Sequence, residues 1–487
     1  MVAKISMVAK ISMVVGEIAV SADLMIVGGG PGGYAAALRG AQLGRNVILV
    51  DRDGEDGVGG VCLRVGCIPS KALIEVADHI HRTRSLGHAG IRTGDITLEL
   101  GAWQQSKTRL VDGLTAGVRQ LLRAAGVSVI AGQAQLSRPD QLVVNDPTNP
   151  LAPAQYFQFN DLVLATGSRP AALAALPRDG VLILDSTDAL ALQEIPRAVA
   201  VVGGGYIGLE IGTALAKLGA KVTVVEFCDR VLPAMDKAFA RPVTRRLRQL
   251  GINLVVNATA QHFDGMNLHV AQSGSMVAIE VDKVIVAVGR SPNTEHLGLD
   301  TAGAVIDERG LVNVAGDRRA TPHIAAIGDI VTGPALAHKA TAEAEVAVEA
   351  LCGQRAEFNP ATIPAVVFCD PEVATAGYTA DDAGAAGINV DAVTLALVSS
   401  GRAATMAARD GFLQLVWERN TTTVVGVHIV GPHASELIGQ GVLAIEMAAT
   451  LEDIAGSIYA HPTLSEQLGE AARLALGRPV HVPGRHR

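Results

Sequence analysis

Asp23-Leu24-Met25-Ile26-Val27-Gly28-Gly29-Gly30-Pro31-Gly32-Gly33 is the stretch on which the fold turns. An apolar run of strand length ends in glycines spaced G-x-G-x-x-G, and a helical pattern follows as far as Leu43. A second strand is predicted over 46–50, closed by Asp51. The plan then recurs: a strand over 198–202, the run Gly203-Gly204-Gly205-Tyr206-Ile207-Gly208, a helix to Leu218 and a strand over 221–225 closed by Glu226. In both copies, Gly28 to Asp51 and Gly203 to Glu226, the acid lies 23 residues after the first glycine. Glycines there permit a tight turn and a close approach of backbone to a pyrophosphate, which the helix N-terminus stabilises, while the acid binds a ribose hydroxyl. Alone, such a motif is weak, and the alternative reading is a flexible glycine loop between packed elements. Set between strand and helix, with the acid in place, it is specific.

Two complete fingerprints imply two dinucleotides and electron transfer between them. Asp51 and Glu226 both oppose a 2′-phosphate, because a carboxylate repels it. Phe227 and Cys228 follow Glu226 where a phosphate site would want arginines, so the nicotinamide cofactor is expected to be NAD rather than NADP. Further strands are predicted over 161–166, running into Gly167-Ser168, over 284–288, running into Gly289, and over 324–327, ending at Gly328-Asp329. From about 357 the pattern changes to strands over 411–416 and 422–427 and a helical stretch over 434–449, and this part reads as a separate domain.

Between the first fingerprint and the next helix lies Gly59-Gly60-Val61-Cys62-Leu63-Arg64-Val65-Gly66-Cys67-Ile68-Pro69-Ser70-Lys71. The spacing is Cys-x₄-Cys, and no second pair or histidine cluster nearby would complete a zinc site. Five residues of ideal helix rise about 7.5 Å, whereas bridged Cα atoms usually lie within about 6.8 Å. Bridging Cys62 to Cys67 must therefore distort the turn, which Gly66 permits, and a strained bridge is readily reduced. A helix predicted from Pro69 onward would aim its positive end at Cys67 and favour a thiolate. Lys71 lies one turn beyond Cys67, in a chain with only nine lysines against 31 arginines. It is either a cation serving this site or a solvated helix residue.

The rest of the composition narrows the field. At 487 residues the chain exceeds one ordinary core, and two or three domains are expected. Its 49% hydrophobic and 18% charged residues describe a globular protein. A net charge of −8 without a basic block argues against a nucleic-acid partner. The longest stretch free of Asp, Glu, Lys and Arg runs only from Asn420 to Ser435, short of a membrane span. The N-terminus repeats Met-Val-Ala-Lys-Ile-Ser without the features of a secretory signal, and 1–21 is read as an extension. Five cysteines without a leader do not make a structural disulfide framework, and a reducing, cytoplasmic setting fits them.

On the run from Gly59 to Leu73, and on the order of the motifs from Ala22 to the end, the chain resembles the pyridine nucleotide–disulfide oxidoreductases. The resemblance implies an α/β architecture with two Rossmann-like dinucleotide-binding domains and a C-terminal α+β dimerisation domain. FAD would occupy 22–168 with 289–353, NAD 169–288, and the dimer interface 355–487. It assigns FAD to Gly28, Gly30, Pro31, Gly32, Gly33 and Asp51, with Arg52, Gly60, Lys71 and Ala134 also near the flavin nucleotide. Ala165, Thr166, Gly167 and Ser168, with Asp329 and the run Ala335, Leu336, Ala337 and His338, would complete that site. NAD would meet Gly203, Gly205, Tyr206, Ile207, Gly208, Glu226 and Gly289. Glu210 matches the family's acid that pairs with the lysine beside the flavin, here Lys71. Tyr206 matches a residue that covers the flavin in some relatives, or is simply a packed aromatic. Two positions depart from the pattern: Arg64 stands where the family usually has Asn, and Asp51 where Glu is commoner.

Tyr459-Ala460-His461-Pro462-Thr463-Leu464-Ser465-Glu466 is similar to the family's His-Pro-Thr…Glu signature. A dithiol must lose a proton before it attacks a disulfide, and histidine oriented by a carboxylate suits that task. The resemblance makes His461 the base, Glu466 its orienting group, and the partner subunit's disulfide its target, so that the active unit is a homodimer. The implied reaction oxidises dihydrolipoamide with NAD+: Cys62 exchanges with the substrate thiol and Cys67 faces the flavin. The implied partner is the lipoyl domain of a 2-oxoacid dehydrogenase or related complex. Competing readings are a glutathione-type reductase, which lacks its NADP arginines here, and a mercuric reductase, expected to end in vicinal cysteines rather than Pro483-Gly484-Arg485-His486-Arg487. An NADH oxidase or transhydrogenase would not need both cysteines and the His–Glu pair. A redox-sensing flavoprotein without turnover is the reading from another class.

Overall fold

The computed structural model describes residues 12–14 and 17–484. Most of the repeated N-terminal segment and the last three residues, on which the comparison of chain ends rests, lie outside the described residues. The chain divides into two compact units.

The first unit comprises the residues up to Pro69 with Gly101–Ala171 and Arg290–Asn359. At its centre is a sheet in the order Arg319–Thr321, Ile324–Ala326, Gln155–Leu164, Glu17–Val27, Val47–Asp51, Ser128–Ala131. All neighbours are parallel except the outermost pair, Arg319–Thr321 with Ile324–Ala326. Leu24, Met25 and Ile26 are buried on both faces, which is why this strand reads as a continuous apolar run. It continues back to Glu17, beyond the predicted start at 23, because Val20, Ser21 and Ala22 pair with 157–159. The antiparallel strands Gln133–Arg138 and Gln141–Asn145 extend the sheet. Chain order reverses beside Glu17–Val27, whose neighbours leave on opposite sides, and a ligand site is expected there at the carboxyl ends.

The second unit comprises Ser70–Leu100, Ala172–Gly289 and Pro360–Arg487. It repeats the arrangement in a parallel sheet ordered Asn253–Val255, Lys221–Val225, Ala198–Val202, Lys283–Val286, Ile183–Leu184. The strands Ala198–Val202 and Lys221–Val225 fall where the spacing predicts them. A second sheet is antiparallel, in the order Ala365–Val367, Val373–Gly377, Val424–Val430, Phe412–Glu418, Val390–Ala396. The helices Ala434–Glu446, Leu451–Gly456 and Glu466–Ala475 share its apolar core, with Ile438, Ile454 and Leu468 buried among Leu415, Val427 and Ile429. Among the described residues no helix is long and apolar enough to cross a membrane.

Candidate active site

Gly28 adopts φ +103°, and a Cβ at Gly33 would come within 1.7 Å of the Gly28 carbonyl oxygen. These two glycines are required by the turn itself. Gly30, by contrast, would carry a Cβ into open space, and Gly167 has that space too but sits at φ +65°, which favours glycine. Helix Pro31–Gln42 starts from Gly30 without a side-chain cap and has Pro31 in its first turn. Its leading N–H groups thus have no competing side-chain oxygen, which suits a pyrophosphate. Asp51 accepts the Gly29 N–H at 2.7 Å with one oxygen and the Asp53 N–H at 3.0 Å with the other. A carboxylate offers about four lone-pair sites, so ribose hydroxyls can still be accepted.

The same frame holds the other predicted residues of this unit. Gly60, at φ +58°, lies where a Cβ would strike the Gly30 backbone at 2.6 Å. Ala165 donates its N–H to the Val27 carbonyl at 2.8 Å, tying two strand ends together. Thr166 donates to the Asn293 carbonyl at 2.6 Å, and the Ser168 hydroxyl donates to Asp329 while accepting from Arg290 Nε at 2.7 Å. The Ala134 side chain is buried in the core, so only its backbone could face a cofactor. Arg52 is exposed and pairs with Asp53 at 3.2 Å. Ala335 and His338 are exposed, and Leu336 and Ala337 half-buried, at the start of helix Ala337–Leu351. These glycines, the uncapped helix and the acid fit a flavin dinucleotide.

Cys62 lies in the short helix Gly60–Val65 and Cys67 begins the helix Cys67–Ser85. The two cysteines lie near disulfide distance. Gly66 interrupts the helices, at φ −133° and ψ −104°, and a Cβ there would meet the Val61 carbonyl oxygen at 2.9 Å. The helix starts two residues earlier than the predicted Pro69. Proline is tolerated in a first turn because its missing N–H would have no intrahelical partner there. Cys67 therefore sits inside the first turn, where unpaired N–H groups favour negative charge. Tyr34 has its phenol pushed up, by burial first and by the neighbouring Cys62 second. Arg64 turns to Asp53, at 3.1 Å.

In the second unit Lys71 Nζ donates to Glu210 at 2.8 Å. The other Glu210 oxygen accepts the Phe368 N–H at 3.0 Å, and the Lys71 ammonium lies 4.4 Å from the centre of the Phe368 ring. Glu210 is buried. Phe368 carries no sequence signal for this task, being 158 residues from Glu210. The second glycine run repeats the first: Gly203 is at φ +111°, and a Cβ at Gly208 would lie 2.0 Å from its carbonyl oxygen. Gly205 and Gly289 would place theirs in open space. Gly205 also starts helix Tyr206–Lys217 without a side-chain cap. Tyr206 is exposed at its first position, followed by half-buried Ile207. Glu226 is buried and accepts the Gly204 N–H at 2.6 Å and the Cys228 N–H at 2.7 Å, while Phe227 is exposed. This set fits a second dinucleotide without a 2′-phosphate.

Also in the second unit, His461 Nδ1 donates to Glu466 at 2.8 Å, and the other Glu466 oxygen accepts the Thr463 N–H at 2.7 Å. The His461 side chain is 75% exposed, so its Nε2 is free to meet a substrate. Burial pushes the Glu466 carboxyl up, but the Thr463 N–H and the His461 ring outweigh it and hold it below its usual range.

Comparison with known proteins identifies the family. The sequence model described as pyridine nucleotide-disulphide oxidoreductase matches residues 22–344, and that of the dimerisation domain of the same group matches 363–472. A dihydrolipoyl dehydrogenase of Geobacillus stearothermophilus is 42% identical over 476 residues, 96% of this chain and 99% of that protein. One from Halobacterium salinarum is 41% identical over 479 residues, 97% of this chain and 100% of that protein. Among solved structures, LpdA from Mycobacterium tuberculosis is similar at a TM-score of 0.84 and 28% identity, covering 93% of this chain and 99% of that one. The HOCl-induced flavoprotein disulfide reductase RclA from Escherichia coli is similar at 0.80 and 25% identity, covering 93% and 99%.

Proposed function

The chain belongs to the pyridine nucleotide-disulphide oxidoreductase family, and from that premise we propose that it oxidises dihydrolipoamide to lipoamide and reduces NAD+, as a dihydrolipoyl dehydrogenase. The family's cofactors are FAD and NAD, and its dimerisation domain supports a homodimer. The observation that carries the proposal is the His461–Glu466 pair, 2.8 Å apart, in a chain that also holds two cysteines near disulfide distance. Dithiol oxidation requires a base, and NADH oxidation by oxygen does not.

His461 Nε2 takes the proton from a substrate thiol while Glu466 keeps Nδ1 protonated and stabilises the charged ring. The substrate thiolate attacks Cys62, which breaks the Cys62–Cys67 bond and leaves Cys67 as the thiolate at the helix N-terminus; the second substrate thiol then attacks the substrate sulfur of the mixed disulfide, closes lipoamide and releases Cys62 as a thiol. FAD, when bound, supplies the two-electron relay between thiol and nicotinamide chemistry. Lys71, fixed by Glu210, supplies a positive charge one turn along the same helix. The reading places FAD in 22–168 with 289–353, NAD in 169–288 and the dimer interface in 355–487. Its protein partner is the lipoyl domain of a 2-oxoacid dehydrogenase or related complex, and its setting the cytoplasm.

The test is direct. The purified protein is expected to be yellow, to release one FAD per chain on denaturation, and to reduce NAD+ with dihydrolipoamide. A protein that cannot be reconstituted with FAD, or that holds FAD without turning over dihydrolipoamide, contradicts the assignment.

A further inference from the structure

Lys339 and Glu343 are the most deeply buried ion pair of the first unit among the described residues, with side-chain exposures of 1% and 0%. They lie one turn apart on helix Ala337–Leu351, and Lys339 Nζ donates to Glu343 at 3.1 Å. The redox chemistry described above uses neither. Burying two charges costs several kcal/mol per ion, which their attraction alone does not reliably repay. Apolar residues of similar volume often do as well in a core. The contacts these two side chains make are therefore informative.

Both converge on one residue, Gly328. Its N–H donates to Glu343 at 2.8 Å, and its carbonyl accepts from Lys339 Nζ at 3.0 Å. Gly328 has φ +79°, a conformation that places both backbone groups inward in a short turn, Gly328–Ile330. The remaining Glu343 oxygen accepts Arg318 Nη1 at 3.2 Å, and that guanidinium lies over the Phe358 ring at 4.8 Å. Gly333 closes around the lysine stem, since a Cβ there would meet Lys339 Cε at 2.7 Å. The residue after Gly328 is Asp329, half-buried between buried neighbours, whose carboxylate accepts the Ser168 hydroxyl.

We infer that the Lys339–Glu343 pair, completed by Arg318, is a positioning device that holds the backbone on both sides of Gly328 so that Asp329 meets the flavin nucleotide at the strand ends. Holding the N–H on one side of Gly328 and the carbonyl on the other ties both peptide units that flank its Cα, and so fixes its φ and ψ, which a single hydrogen bond does not. The carboxylate is thereby preorganised, and binding need not supply the ordering free energy. This inference rests on the assignment of FAD to the first unit.

The experiment measures FAD affinity of apo-protein by fluorescence titration, with thermal unfolding and dimer content recorded for each variant. Lys339→Met combined with Glu343→Leu removes both charges without leaving either alone. It is expected to weaken FAD binding roughly tenfold or more, and Asp329→Ala to weaken it similarly. Combining all three should add little, because the pair acts through Asp329. Lys339→Gln, which keeps an N–H donor towards the Gly328 carbonyl, should retain most of the affinity, and it carries the test if the double variant does not fold. Losses that multiply when combined, or a Lys339→Gln variant with the same loss as Asp329→Ala despite its donor, would overturn the inference. So would unchanged FAD affinity in the folded double variant. Wild-type apo-protein that binds no FAD would instead overturn the cofactor assignment.

Discussion

Nδ1 of His461 donates a hydrogen bond of 2.8 Å to Glu466, five residues along the chain. A carboxylate can only accept, so the bond fixes the tautomer and leaves Nε2 as the proton acceptor. The second Glu466 oxygen, held by the Thr463 N–H, keeps the carboxylate from turning away.

Replacing His461 with Gln is expected to lower dihydrolipoamide-dependent NAD+ reduction by about 10² to 10⁴-fold, the range of general acid–base catalysis. Glu466→Gln should lose less. Electron transfer from NADH to an artificial dye bypasses the dithiol and should survive in both. Equal loss of dye reduction on folded, FAD-replete protein would remove His461 from catalysis.

The depressed Glu466 carboxyl also has a signature in stability. A folded value below the unfolded one (~4.3 for Glu) stabilises the native state above that range, and the contribution is lost as pH falls through the folded value. The difference in thermal unfolding between wild type and Glu466→Gln should therefore shrink from pH 7 towards pH 3. A constant gap would show that the carboxylate is not held as described.

Phe368 is expected to act through Lys71. Phe368→Leu keeps the backbone N–H on Glu210 but removes the ring beneath the ammonium. A cation–π contact at a partly exposed site contributes ~0.5–1 kcal/mol, so the dithiol reaction should slow by about two- to fivefold, less than in Lys71→Met. A Phe368→Leu enzyme as slow as Lys71→Met would mean that the ring supports the fold rather than the charge.

Glu226 should hold NAD+ preference at tenfold or more in kcat/KM, about 1.4 kcal/mol of discrimination. Its carboxylate is already committed to the Gly204 and Cys228 N–H groups and is buried, so it cannot swing aside for a phosphate. Glu226→Ala should narrow the gap. Equal use of both nucleotides by the wild type is the contrary result.

Arg64, which stands between the two cysteines in place of the family's usual Asn, is paired with Asp53. The Asp53 carboxyl is held below its usual range by hydrogen bonds from Arg52, chiefly, and from Arg64, against the opposing effect of burial. With its charge answered there, Arg64→Asn should barely change the long-wavelength absorbance of the two-electron-reduced enzyme. Cys67→Ser should abolish that absorbance, and Cys62→Ser should display it without reductant. A large shift in Arg64→Asn would show that the cation acts on the sulfurs.

Much of this was readable from local pattern. The glycine spacings, the acids at 51 and 226, the cysteine pair and the His–Glu separation are set by geometry within a few residues or one supersecondary unit. Such features survive as periodicity and spacing because a turn or a strand–helix unit imposes them wherever it occurs. Boundaries were less legible. The helix of Cys67 begins before Pro69, since a first turn tolerates proline, and strand Glu17–Val27 begins early because pairing with Gln155–Leu164 sustains it.

What the chain alone determined is therefore the local pattern behind the proposed chemistry: two glycine fingerprints with their acids, a cysteine pair and a His–Glu pair. What only the tertiary structure decided is which distant groups hold that chemistry in place. Phe368 against Lys71 and Glu210, Arg64 against Asp53, and the Lys339–Glu343 pair around Gly328 are of this kind. Each depends on side-chain direction and burial, which is set by packing between elements and leaves no fixed spacing in the sequence.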